Sequence, residues 1–164
     1  RLKKTINPSS LSELDDVTYA EEALKVGLPA EAEMVLADGR SEGVVGKSIS
    51  AQELHSLLDR VKKAVSEDNK SFPSILKEAK TGADFEQLGE VYLSRGDWDK
   101  AESTYLRAFE LGGVKRSNLA LLHMAEAQCH ADKEDLAKET LGRISTKGDL
   151  VGQIAALWLK YCHN

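Results

Sequence analysis

A chain of 164 residues with 27 acidic and 22 basic side chains, and so a formal net charge of −5, has the size of one ordinary domain and is long enough to bury a real core. No apolar run approaches the roughly 18 to 20 residues of a membrane span, and an acidic balance with only 5% aromatic residues does not provide a broad nucleic-acid-binding surface. The chain opens on Arg1 rather than Met, so the native N-terminus and any targeting signal are expected to lie outside this stretch.

In chain order, Arg1 to Ser10 reads as a basic, Pro-containing lead-in. A first helical hairpin is expected over 11–39. Tyr19, Ala20 and Ala23 mark one helix, Ala32 and Leu36 the next, and Gly27-Leu28-Pro29 the turn between them. The stretch from Asp38-Gly39 to Ser50, with Gly43, Gly46 and three serines, reads as the one extended loop. A helix then starts near Ala51, opened by a capping box of Ser50 and Glu53. A shorter partner is expected with Pro73 in its first turn, which makes 50–81 a degenerate helix pair.

The stretch 83–113 carries the plainest pattern. Phe85, Leu88, Gly89 and Tyr92 fall at i, i+3, i+4 and i+7, and Trp98, Ala101, Tyr105 and Ala108 form a second stripe after a break. Gly96 can take the left-handed conformation that ends one helix, and Asp97 is expected to cap the next with its side chain. Gly112-Gly113 stops the second helix. Gly89 and Ala101 sit mid-stripe, where a missing side chain lets two backbones approach. The same small-x11-small spacing recurs at Ala125/Ala137, 36 residues later and within a pair over 117–145, and at Ala20/Ala32, 69 residues earlier. The apolar segment 149–162, with Val151, Ile154, Ala155, Leu157, Trp158 and Leu159, is expected as a closing helix.

The residues Phe85, Leu88, Gly89, Tyr92, Ala101 and Tyr105 resemble the tetratricopeptide repeat, in which a large apolar residue, Leu-Gly and Tyr on one helix meet Ala and an aromatic residue on the next. Gly113 stands where that family usually has Pro. The resemblance implies an all-α fold, a right-handed superhelical stack of antiparallel helix pairs, serving as a non-catalytic protein-interaction scaffold without cofactor or metal. The first helix of each pair would line a concave groove for a protein or peptide. Val17, Glu21, Leu24 and Lys25 would face it in one repeat, Glu86, Glu90, Leu93 and Ser94 in the next, and Leu122, Glu126, Cys129 and His130 in the third. Aligned at Glu21, Glu90 and Glu126, the groove would be mildly acidic and suit a basic or amphipathic peptide, with Glu102, Glu110 and Glu139 on the convex side. The carboxylate-gripping variant of the family, which uses Lys and Asn, does not fit Glu86 and Glu90. The whole chain resembles bacterial tetratricopeptide-repeat proteins, some of them envelope-associated, which implies a bacterial cytoplasmic or periplasmic setting.

Catalytic and metal patterns are weak. Cys129-His130 and Cys162-His163, with His123, lack the paired spacing of a closed zinc site, because adjacent residues point about 100° apart on a helix. A Cys129–Cys162 disulfide needs neighbouring helices to present both sulfurs, and free thiols are the expectation. Lys47-Ser48 after Gly43 and Gly46 lacks the interval of a phosphate loop and reads as a flexible turn. No GxSxG elbow occurs. Two alternatives stand beside the scaffold: a self-associating structural unit that forms a homodimer, and the regulatory fragment of a larger enzyme.

Overall fold

The computed structural model describes residues 13–41, 43, 45, 49–144 and 149–162. The lead-in Arg1 to Ser10, the Lys47-Ser48 pair and His163 lie outside them. Among the described residues there are eight helices and no strand: α1 (Glu13–Lys25), α2 (Pro29–Ser41), α3 (Ala51–Glu78), α4 (Gly82–Ser94), α5 (Trp98–Leu111), α6 (Ser117–His130), α7 (Glu134–Gly142) and α8 (Leu150–Tyr161). The fold is all-α. The helices group into two compact units, one ending at Lys77 and the other starting at Glu78, where the sequence suggests a single array.

Three hairpins share one turn. Gly27, Gly96 and Asp132 all have positive φ (78°, 72° and 58°), and they are spaced by 69 and 36 residues, the intervals of the small-residue pairs. Behind each, the same bond runs back five residues: Leu28 N–H to the Ala23 carbonyl (2.9 Å), Asp97 to Tyr92 (3.0 Å) and Lys133 to Gln128 (2.9 Å). This six-to-one bond is the mark of a Schellman ending, in which a left-handed residue lets the chain satisfy the last carbonyls and reverse. Asp132 fills the glycine position because Asp tolerates the left-handed region better than most residues. Asp97 departs from expectation: its side chain makes no capping bond, and its Oδ2 instead accepts from Lys100 Nζ at 3.3 Å.

In the first unit, α1 packs on α2, with Ala20, Ala23, Ala32 and Leu36 buried between them. The Tyr19 hydroxyl donates to Glu31 across the pair. Leu57 and Val61 of α3 complete this core, with Leu54, Leu58 and Val65 packed at its edge. The expected helix pair over 50–81 is a single 28-residue helix that carries Pro73 inside it. No glycine occurs between Gly46 and Gly82, so nothing in that stretch supplies a left-handed stop. The apolar spacing Leu54, Leu58, Val61, Val65, Phe72, Leu76 holds a helical period straight through the proline.

In the second unit, α4 packs on α5, α6 on α5 and α7, and α8 on α6 and α7. Gly89 lies against Tyr105, and a Cβ there would come within 2.7 Å of the ring. Helix α6 is buried nearly all round, from Ala120 to Gln128, which makes it the centre of the unit.

The start of α4 is fixed by a capping box. Thr81 Oγ1 accepts from the Asp84 N–H at 3.2 Å, while Asp84 Oδ2 accepts from the Lys80 and Thr81 N–H groups at 3.0 and 2.8 Å. Those backbone bonds, Lys80 first, hold the Asp84 carboxyl below the usual carboxylate range. Its contribution is therefore present above the unfolded pKa of about 3.9 and is lost as the pH falls through the lower folded value. Thr81→Ala should cost about 1 kcal/mol. Asp84→Asn should flatten the fall of melting temperature with pH in the acid range, and an unchanged acid profile would remove the cap from the account.

Candidate functional site

The twelve groove positions read from the sequence divide between the two units, four in the first and eight in the second. In the second unit most of them point inward. Glu86 is buried; it accepts from the Lys115 N–H at 2.9 Å and lies 3.5 Å from Arg116 Nε. Its charge thus holds the segment that leads into α6, where free N–H groups favour a carboxylate. Glu90, half-buried on α4, pairs with His123 Nδ1 on α6, and the His123 ring lies 6.5 Å from that of Tyr105. Leu93, Ser94, Leu122 and Glu126 are all buried. The acidic groove along Glu86, Glu90 and Glu126 is therefore replaced by internal links that tie the second unit together.

Glu102, expected on the convex side, is buried as well. It accepts from Gln128 Nε2 at 2.8 Å and from Lys133 Nζ at 2.6 Å, and the same ammonium reaches Asp99 at 2.6 Å. The two carboxylates, Asp99 first, push the Lys133 pKa up to about 12. This network joins α5, α6 and the turn before α7.

The free-thiol expectation is also corrected. Cys129 and Cys162 form a disulfide with a Cα–Cα distance of 5.5 Å, and neither is free. Packing α8 beside α6 brings the ends of the two helices together. Glu90 and His123, like the two cysteines, are 33 residues apart, so lateral contacts between first helices recur at about one repeat length. His130, beside the bridge, is exposed and stacks on Trp98 with ring centroids 4.4 Å apart, while Trp158 meets it edge-on at 6.0 Å.

The first unit is different. Val17 and Glu21 of α1 line a cleft of about 430 Å³ with Gln52, Glu53, Ser56, Leu57 and Arg60 of α3 and with Ile49 before it. Leu24, one turn on from Glu21, packs against the core instead. Ser50 and Glu53 fix the start of α3 at the edge of the cleft: Glu53 accepts from Ser50 N–H and Oγ at 3.0 and 2.7 Å, and Ser50 Oγ accepts from the Glu53 N–H at 3.2 Å. Hydrogen bonds from Ser50 hold the Glu53 pKa low. At the mouth, Arg60 Nη2 and Glu21 Oε1 lie 3.0 Å apart, and both side chains are largely solvated. An exposed pair of this kind contributes little to stability and exchanges partners readily. The cleft thus combines apolar groups (Val17, Leu57, Ile49) with amide and hydroxyl groups (Gln52, Ser56) and one solvated ion pair. Sequence reading found Val17 and Glu21 but missed the α3 wall, because it placed a helix pair there. Glu21 and Arg60 are 39 residues apart, and no sequence motif joins them.

Among the described residues no group of three or more His, Cys, Asp or Glu side chains could hold a metal ion, and no helix is long and apolar enough to cross a membrane. Comparison of the chain with protein-family models, with curated proteins and with solved structures finds no match.

Proposed function

We propose that this chain is a non-catalytic protein-interaction module of the tetratricopeptide-repeat kind, and that its docking surface is the α1–α3 cleft rather than an acidic groove along the three first helices. One observation carries the reading. The cleft is where sequence-expected groove residues, Val17 and Glu21, line a cavity together with polar and apolar groups of a second helix. The recurrence of one hairpin turn at Gly27, Gly96 and Asp132 supports the repeat character. The occupant is an amphipathic peptide, with apolar side chains against Val17, Leu57 and Ile49 and a basic residue taking the place of Arg60 beside Glu21. Of the two settings weighed, cytoplasm and periplasm, the Cys129–Cys162 bridge favours the second, because disulfides persist in oxidising compartments.

Titration of a panel of basic amphipathic peptides, followed by backbone amide shifts, tests the reading. Shifts should concentrate on α1 and the first turns of α3. Glu21→Lys should weaken binding about tenfold, or roughly 1.4 kcal/mol, with the melting temperature held. Shifts on the second unit alone, or binding indifferent to Glu21, would overturn the cleft as the site.

A further inference from the structure

Helix α8 has two apolar stripes, and among the described residues one is buried against the second unit while the other is largely exposed. Gly152, Ala155, Trp158 and Cys162 are buried against the second unit. Leu150, Ile154 and Leu157 lie at i, i+4 and i+7 on a different stripe, where Leu150 is 69% and Leu157 42% exposed and Ile154 is half-buried. The bridge at Cys162 and the buried Trp158 ring hold α8 in place, so the stripe is a fixed surface and not a frayed end.

The charges beside the stripe select its partner. Lys160 stands exposed in the last turn of α8, and Asp149, the N-cap whose Oδ1 accepts from the Gly152 N–H at 2.7 Å, stands exposed at the opposite end. If two copies of α8 pack antiparallel, each Asp149 meets the other copy's Lys160, the helix dipoles oppose, and Ile154 meets Ile154 near the axis. Parallel packing would instead bring like-charged ends together. The pattern is self-complementary in the way an isologous twofold contact requires.

We propose that a second copy of this chain docks on α8, the two helices packing antiparallel about a twofold axis through Leu150, Ile154 and Leu157. Two helices of 12 residues, each about 18 Å long, make a contact smaller than the ~1,200 Å² of a standard interface, so a reversible association is expected. This contact is separate from the α1–α3 cleft and does not depend on the peptide-binding reading.

Sedimentation velocity over about 1 to 300 µM should show a reversible monomer–dimer equilibrium. Leu157→Glu should raise the dissociation constant about 30-fold or more, since it places two unpaired carboxylates in the contact. Its melting temperature at low concentration should match that of the parent, because Leu157 is exposed. Lys160→Glu should weaken the dimer about tenfold by setting carboxylate against carboxylate. Orientation is read with a short bismaleimide: Gln153→Cys, close to the axis, should crosslink, and Lys160→Cys, far from its own copy, should not. A chain that stays monomeric throughout, a dimer indifferent to Leu157→Glu, or equal crosslinking at both positions would each overturn the proposal.

Discussion

Replacing Cys129 and Cys162 together by Ala should lower the free energy of unfolding by about 3 to 4 kcal/mol, the chain-entropy value for a loop closed across 33 residues. In a chain of this size that loss corresponds to a fall of roughly 10 °C in melting temperature. The mechanism lies mainly in the unfolded state. With the bridge intact, the unfolded chain remains tied from the end of α6 to the end of α8, so it gains less entropy on unfolding. A reductant should lower the melting temperature of the parent protein by a similar amount and leave the double variant unchanged. If the reductant moves both equally, or neither, the bridge does not stabilise the fold.

The second large effect concerns one methyl group placed at two glycines. At Gly89 an added Cβ would meet Tyr105 ring atoms at 2.7 Å, and Tyr105 is fully buried, so the ring has nowhere to withdraw. Overpacking of this kind costs about 1 to 3 kcal/mol, which outweighs the roughly 1 kcal/mol by which Ala is the better helix former. Gly89→Ala is therefore expected to destabilise. At Gly142, also helical and exposed, nothing lies within 4 Å of an added Cβ. There Gly142→Ala should stabilise by up to about 1 kcal/mol. Ala101→Leu, at another fully buried position, should cost about 1 to 3 kcal/mol, while substitution of the exposed Lys100 should cost little. Denaturant midpoints measured side by side decide the matter, and equal signs at the two glycines would sink the register of α4 against α5.

The helices of the second unit were legible because their information is local. The small residues Gly89, Ala101, Ala125 and Ala137 repeat at a fixed interval and Gly96 marks the turn of the first pair, and all four small residues are buried. Pro73 misled because a proline suits a first helical turn as well as it disrupts an interior; what decides for the interior is the wider context, the lack of any glycine between Gly46 and Gly82 and the apolar period that runs through the proline. The groove misled for an electrostatic reason. Glu86, Glu90 and Glu126 sit on one helical face as solvated residues would, but Lys115 and Arg116 come around from a loop to meet Glu86, and His123 arrives from the neighbouring helix to meet Glu90. Partners that fold in from 29 to 33 residues away leave no periodic trace. The disulfide was hidden for the same reason, since it depends on α8 lying along α6.

Helix α6 has side chains buried on almost every face, and it is packed by α5, α7 and α8 at once. No local fluctuation of the second unit can expose α6 while its neighbours stay docked, because opening it means releasing several packed surfaces together. Fraying should therefore be confined to the periphery, and the second unit is expected to melt as one cooperative block, with the amides of α6 the last to exchange.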